Sequence, residues 1–472
     1  MDNKSLLIRG GTVVSDSCAS QIDLYVQSGR ILAQGSPGSF DREHFTEVYD
    51  ASGMFILPGL IDPHVHFDSP FMGSKTLHDF QTGSIAAAYG GITTVISFST
   101  QGKGESIIEN IENTNRIAEK QSLIDWGIHG IVLDAKEDTL SEIENLINSG
   151  YPTYKCFTTY RHSDRMVEDV DILSLLKVTA RNNAMLMVHC ENDAILEHNL
   201  KKVLSESNFE SNLWINHAKS RPASAENVAI ARIIDLMKEE VAPVYIVHTS
   251  TRESMGIIQD AINIGLPIHC ETCTHYLVLT EDQLIGENGY QFICSPPLRK
   301  KEDNDALWLA VTNGPLEVVS SDDAGVPTVD RIKLGEGRFD KVPNGMPGIE
   351  PRFAVLYSQG VVKGRINLPR LVALTSTNPA KLFGLFPQKG HLGVGADADI
   401  VIFDPNSEGR ISASTHHMNT DFSPFEGMNT TGNIRSVLCR GEFIIREGEL
   451  IGTPGYGKLI RRRIDRTWLK RN

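Results

Sequence analysis

Six side chains able to bind a metal or carry a proton fall at the ends of short apolar runs. The first run, MFILPGLIDPHVHFDSPF (Met54–Phe71), reaches His64 and His66 two residues apart. On extended backbone, positions i and i+2 face one side, so the two imidazoles point together. Neutral imidazole is a common ligand for zinc and similar ions. PTYKCF carries Lys155, AMLMVHCEN delivers His189, VYIVHTS delivers His248, and LEVVSSDD ends in Asp322. Each has an ordinary alternative: a hydrogen-bonded polar histidine, a snorkelling lysine at a sheet edge, an aspartate that starts a turn. Chance explains poorly why six such residues share one position on five strands.

Lysine is the odd member, because an ammonium repels a metal. Once its nitrogen has reacted with carbon dioxide it is a carbamate, a carboxylate-like anion that two ions can share. His64 and His66 would then serve one ion, and His189 and His248 the other. Two such cations lower the pKa of a water between them and polarise a carbonyl. Asp322 is placed to take the water's proton and return it to a leaving nitrogen. The chemistry that fits is metal-assisted hydrolysis of an amide.

These residues need a scaffold that brings several strand ends to one face. Eight apolar strands are expected at 54–66, 92–98, 126–133, 152–157, 184–190, 243–249, 266–272 and 316–322. Helix-like runs at 78–90, 105–120, 138–149, 169–182, 225–240, 252–264 and 303–313 lie between them. Apolar strands alternating with helices predict an α/β fold, a (β/α)8 barrel whose active site lies at the strands' C-terminal ends. A doubly wound open sheet is the alternative, but no Gly-rich dinucleotide fingerprint follows any strand. The flanks read as β structure: LLIRGGTVV and IDLYVQSGRILAQG before the barrel, HLGVGADADIVIFDP and IRSVLCRGEFIIREGEL after it. We expect segments 1–57 and 386–472 to form one small β-sandwich domain, with the catalytic barrel at 58–385 inserted between them.

A formal net charge of −14 argues against nucleic acid or an anionic membrane as partner. No apolar run approaches the roughly 20 residues of a membrane helix, and MDNKSLLIRGG has no signal-peptide core. Seven scattered cysteines suit reduced thiols, and the lone Cys270/Cys273 pair reads as structural. His269, His275, His416 and His417 fall outside the strand-end pattern. The tail, with Arg461–Arg463 in a row, reads as solvated or subunit-contacting.

The segments PGLIDPHVHFDSPF, YKCFTTY, VHCEN, IVHTS, GLPIHCETCTHYL, CSPPLR, SSDD, VPNGMPGIEPR and LTSTNPAKLFGL occur in this order along nearly the whole chain. In them the chain resembles the cyclic amidohydrolases, in particular the dihydropyrimidinase and hydantoinase branch. The resemblance implies a binuclear zinc site with Lys155 carbamylated, a small cyclic amide or ureide as substrate, and a cytoplasmic homotetramer. It assigns Tyr160 as hydroxyl donor to substrate or oxyanion. Ser295 and Asn344 would hold the ring's amide groups, largely through backbone atoms.

Two positions depart from the family: Thr274 replaces a common Pro, and Asp323 follows Asp322 where relatives usually have His. That second carboxylate either raises the pKa of Asp322 or points away. Dihydroorotases place Arg just after His-x-His to grip a carboxylate, whereas Asp68 stands here. An allantoinase-like activity is the nearer alternative, and a non-catalytic scaffold would have lost ligands that are all present. The loop Arg161–Met166 is polar where relatives present an apolar residue to the exocyclic substituent. We expect it to favour small or polar substituents over aryl groups, unless these side chains turn outward or Met166 supplies an apolar wall.

Overall fold

The computed structural model describes residues 4–206 and 213–469. Its centre is a sheet of eight parallel strands: β1 (Leu60–Val65), β2 (Ile92–Thr100), β3 (Asp125–Ile131), β4 (Thr153–Phe157), β5 (Met185–His189), β6 (Val244–Ile246), β7 (Ile268–Cys273) and β8 (Leu316–Ser320). Each strand pairs with its neighbour in sequence. The ring is drawn together by a parallel bridge from Val65 to Asp323 and by the His66 amide donating to the Asp323 carbonyl at 2.9 Å. The fold is therefore the α/β barrel expected.

The helices start where the sequence supplies caps. Asp79 caps Phe80–Tyr89 with Thr82 reciprocating, Ser106 caps Ile107–Gln121, Asn192 caps Asp193–Leu204, and Thr251 caps Arg252–Asn263. Their apolar stripes, such as Ile107, Ile111 and Ala118, pack on the outside of the strands. Ile61, Ile96, Met185, Met187, Tyr245 and Val318 form a separate cluster that fills the inside beneath the site.

The expectation of one strand over 54–66 is corrected. Phe55–Pro58 pairs with Ile400–Phe403 and with Thr12–Val13, in a seven-stranded sheet made from both ends of the chain. The chain crosses from that sheet to the barrel at Gly59, where a Cβ would collide with the Thr93 side chain. A four-stranded sheet (Ser5–Arg9, Asp23–Gln27, Arg30–Gly35, Glu47–Asp50) packs against it through Leu6, Ile8, Leu24, Val26, Ile56, Ile400, Ile402 and Leu438. This is a β-sandwich.

The reading of the basic tail as solvated is also corrected, at Arg462. This residue is fully buried and donates to the Ile128 carbonyl (2.6 Å), to Thr153 Oγ1 (2.9 Å) and to the Phe383 carbonyl (3.3 Å). Arg461 lies over the Tyr151 ring. The three arginines therefore include one that ties the tail to the barrel.

Candidate active site and metal centre

The strand register delivers the side chains. Lys155 lies opposite Met187 and Phe157 opposite His189, so His189 sits one step further along the face that Lys155 shares. His64 is near the end of β1 and His66 just beyond it. His248 and Asp322 each follow their strands by two residues, with φ of +38° and +48°. Tyr160, after β4, has φ +70°. Left-handed backbone at a non-glycine residue is costly, and at these three positions it turns side chains inward.

A cavity of about 70 Å³ is lined by His66, Lys155, Tyr160, His189, His248, Ser295, Asp322 and Asn344, with Phe71, Phe157 and Arg165 among the remaining walls. His64 is fully buried directly behind it. Its Nε2 lies 3.1 Å from Asp322 Oδ1 and 3.0 Å from Lys155 Nζ, and His66 Nε2 lies 3.4 Å from the same Asp322 oxygen. Across the cavity His189 Nδ1 faces His248 Nε2 at 2.9 Å. All six residues singled out by strand position thus meet in one place. Tyr160 lines the cavity beside Ser295 and Asn344, and Asn344 Nδ2 donates to Ser295 Oγ at 2.8 Å.

Two carboxylates missed in the sequence hold the imidazoles from behind. Glu271, on β7, pairs with His64 Nδ1, accepts from the His248 amide at 3.3 Å and from the Tyr245 hydroxyl at 3.1 Å. Glu191 accepts from His189 Nε2 at 2.8 Å and is itself paired with Arg221. A proton on His189 Nε2 leaves its Nδ1 lone pair facing the cavity. Both glutamates are fully buried, which is rare for a carboxylate without a partner. A glutamate at the end of an expected strand, in VHCEN and in PIHCETC, is the signal that could have found them.

The electrostatics suit a cation. Burial drives His66 down to about 4 and pulls down His189 and, furthest, His248, keeping these rings neutral. Burial and Lys155 push His64 the same way, but Asp322 and Glu271 outweigh them and hold it above its ordinary value. The field that favours a proton there also favours a metal ion. Asp322 is desolvated, yet His64 and His66 hold it well below the usual carboxylate range. Burial lowers Lys155 to about 8. His64, His66 and Asp322 offer ligand atoms within 4.8 Å of one another, and the buried His248 Nδ1 has no hydrogen-bond partner. This nitrogen- and oxygen-donor set fits zinc or a similar divalent ion.

Of the two alternatives for Asp323, the structure selects the second. It points away from Asp322, bonding His78 Nδ1 at 2.6 Å and accepting from the Gly348 and Ile349 amides at 2.7 and 3.2 Å. It thereby anchors the loop that carries Asn344. Gly345 in that loop (φ +122°) packs so closely on the Ala324 carbonyl that a Cβ would clash. Asp68 pairs with Lys75 and takes no part in the lining. The polar loop is divided: Arg161 turns to Asp193 and Glu168, His162 to Glu197, and Asp164 to Lys103, while Arg165 turns inward. Met166 bridges Phe157 through backbone and does not line the cavity.

Comparison with known proteins agrees with this geometry. Residues 55–444 match the amidohydrolase family. The chain is 41% identical to a D-hydantoinase of Geobacillus stearothermophilus over 459 residues, which is 97% of this chain and 96% of that protein. It is 38% identical to a D-hydantoinase of Streptomyces coelicolor, covering 96% of each. The crystal structure of dihydropyrimidinase from Brevibacillus agri superposes with a TM-score of 0.94 at 40% identity, covering 97% of this chain and 99% of that one. With its full-length relatives and its strand-end residues in agreement, the chain belongs to the amidohydrolase family of enzymes.

Proposed function

We propose that this enzyme opens the cyclic amide of hydantoins or dihydropyrimidines to N-carbamoyl amino acids. The observation that carries the reading is the meeting of four imidazoles, a buried lysine and Asp322 in a cavity that Tyr160, Ser295 and Asn344 also line. The names of the relatives point the same way. In this reading two divalent ions, zinc by preference, are held by His64, His66, His189, His248, Asp322 and a carbamate on Lys155. When bound they supply polarisation of the ring carbonyl and acidification of water.

The protein's own groups do the rest. Asp322 takes the proton released as water adds to the carbonyl carbon. It returns that proton to the ring nitrogen as the C–N bond breaks. Burial raises the Tyr160 phenol above its ordinary value, so it stays protonated and can donate to the developing oxyanion. Ser295 and Asn344 hold the ring's amide groups beside it. Glu271 and Glu191 fix the rings of His64 and His189. Lys155 reacts with carbon dioxide as the neutral amine, and its lowered pKa makes that form accessible.

The same reading takes residues 58–385 as the catalytic barrel and 1–57 with 386–472 as the sandwich domain, in a cytoplasmic homotetramer. Family resemblance supports the tetramer and the compartment. Among the described residues no helix is long and apolar enough to cross a membrane. Turnover of dihydrouracil, hydantoin, allantoin and dihydroorotate, measured side by side, tests the function. Ring opening of hydantoin or dihydrouracil is expected to lead. Dominance of allantoin would move the assignment to an allantoinase, and no turnover of any of the four would refute it.

A further inference from the structure

Arg165 differs from the other two arginines around this site. Arg161 is paired with Asp193 and Glu168, Arg221 with Glu191, and His162 with Glu197. Among the described residues no carboxylate pairs with Arg165. Among the described residues its guanidinium makes one hydrogen bond, to the Pro70 carbonyl at 3.3 Å. The guanidinium lies over the Phe71 and Phe157 rings, 5.2 and 5.9 Å from their centroids. Both rings stand edge-on to Tyr160, at 6.4 and 5.9 Å. Arg165 is half-buried, and it lines both the inner cavity and a second one of about 250 Å³ that shares Phe71, Tyr160, Arg165 and Asn344 with it.

An arginine cannot shed its charge to relieve desolvation. Burial acts against its charge. Two aromatic rings lie beside the planar fork as cation–π partners, and among the described residues most of its five N–H donors have no protein acceptor. Such a fork matches a carboxylate, which it can bind through two parallel hydrogen bonds. It stands at the doorway between the cavity that would hold the ring and the outer one, where a group hanging from the ring would pass.

We infer that Arg165 is a specificity residue that binds an anionic group, a carboxylate on a short exocyclic chain of the ring substrate. This deepens the polar-substituent expectation and rests on the ring-opening reading above. The natural substrate class becomes a hydantoin or dihydropyrimidine bearing a carboxyalkyl arm, and the product an N-carbamoyl derivative of an acidic amino acid.

The test compares 5-(2-carboxyethyl)hydantoin with its neutral isostere, 5-(2-carbamoylethyl)hydantoin, and with 5-phenylhydantoin. It uses the metal-loaded enzyme and its Arg165→Gln and Arg165→Lys variants. In the wild type, kcat/KM for the acid should exceed that for the amide by about tenfold or more, as a charge-assisted bidentate contact implies. The difference should lie mainly in KM and shrink as salt is added. In Arg165→Gln the acid-to-amide ratio should fall to about one, and in Arg165→Lys part of it should return. Equal rates for acid and amide in the wild type would overturn the inference. So would an Arg165→Gln variant that slows all substrates alike with an unchanged ratio, or a wild type that favours the phenyl compound. In each case ring opening itself would stand. If no hydantoin, unsubstituted or substituted, is opened, the functional reading fails and this inference falls with it.

Discussion

Among the described residues two lysines are buried, at opposite ends of the barrel, and the protein treats them in opposite ways. Lys155 and Lys389 are 2% and 1% exposed. Lys389 Nζ sits 2.7 Å from Asp125, 2.6 Å from Asp399 and 3.2 Å from Asp397, at the N-terminal end of β3 beneath the sandwich. Burial alone would lower its pKa, but Asp399 and Asp397 outweigh that and push it up. Lys155 faces histidines and one shared aspartate, and burial prevails, bringing it down to about 8. Asp125, Asp399 and Cys439 also form a group with metal-ligand spacing. The Lys389 ammonium already lies among those carboxylates as their cation. The comparison teaches that a cluster of metal-binding residue types is informative only once the local charge balance is known. In the lower cluster Lys389, with Arg440 on Asp125 and Arg30 on Asp397, balances the three aspartates, whereas the upper cluster leaves an amine able to react.

Exchanging each lysine for methionine separates the two roles. Lys155→Met should lower turnover by about 10²–10⁴-fold, as should Asp322→Asn, because a bridging anion and a proton carrier are lost. The metal-free Lys155→Met protein should be no less stable than wild type, since it loses a desolvated cation. Full turnover in either variant would place the chemistry elsewhere. Lys389→Met should instead cost about 3–5 kcal/mol of stability by removing the buried cation that three carboxylates share, with Arg440 and Arg30 left on Asp125 and Asp397. Turnover per folded molecule should be retained. Urea denaturation beside steady-state kinetics checks both, and a Lys389→Met enzyme that is stable but inactive would erase the distinction.

Smaller effects sharpen the comparison. Glu191→Gln and Glu271→Gln keep size and remove the charge behind His189 and His64. Each should weaken metal affinity or activity by about 10–100-fold. Wild-type affinity in both variants would mean that these carboxylates serve only packing. The smallest effect concerns pH. A lysine whose folded pKa is raised contributes stability that is complete below its unfolded value and is lost only as pH climbs through the folded value. The stability difference between wild type and Lys389→Met should therefore stay level between about pH 8 and pH 10 and decline only above that. A decline already complete by pH 9 would show that the three aspartates do not hold that proton.

The upper region was legible in the sequence because its residues recur at one position of a repeated unit. His64, Lys155, His189, His248 and Asp322 mark the ends of β1, β4, β5, β6 and β8 or the turns just after them. The lower region was not. Asp125 is far in the chain from Lys389 and Asp399, and the three share no repeating position, so their contact depends on tertiary packing. Arg462 misled for the same reason: three arginines in a row read as a solvated tail until one meets the carbonyls of Ile128 and Phe383. The 54–66 run hid a domain crossing because Pro58-Gly59 looks like a kink in one strand, and only the pairing of Phe55–Pro58 with Ile400–Phe403 shows the chain changing sheets. Periodicity also could not show that Arg165 turns inward while Arg161 turns out, since a loop has no face.

The central claim is that the upper cluster is built for metal. Metal content of the purified enzyme, measured with hydantoin turnover through chelation and reconstitution, tests it most directly. About two divalent ions per chain are expected, with loss of turnover on chelation and recovery when zinc and bicarbonate are returned together. A preparation that keeps full turnover after its metal has been removed would contradict it.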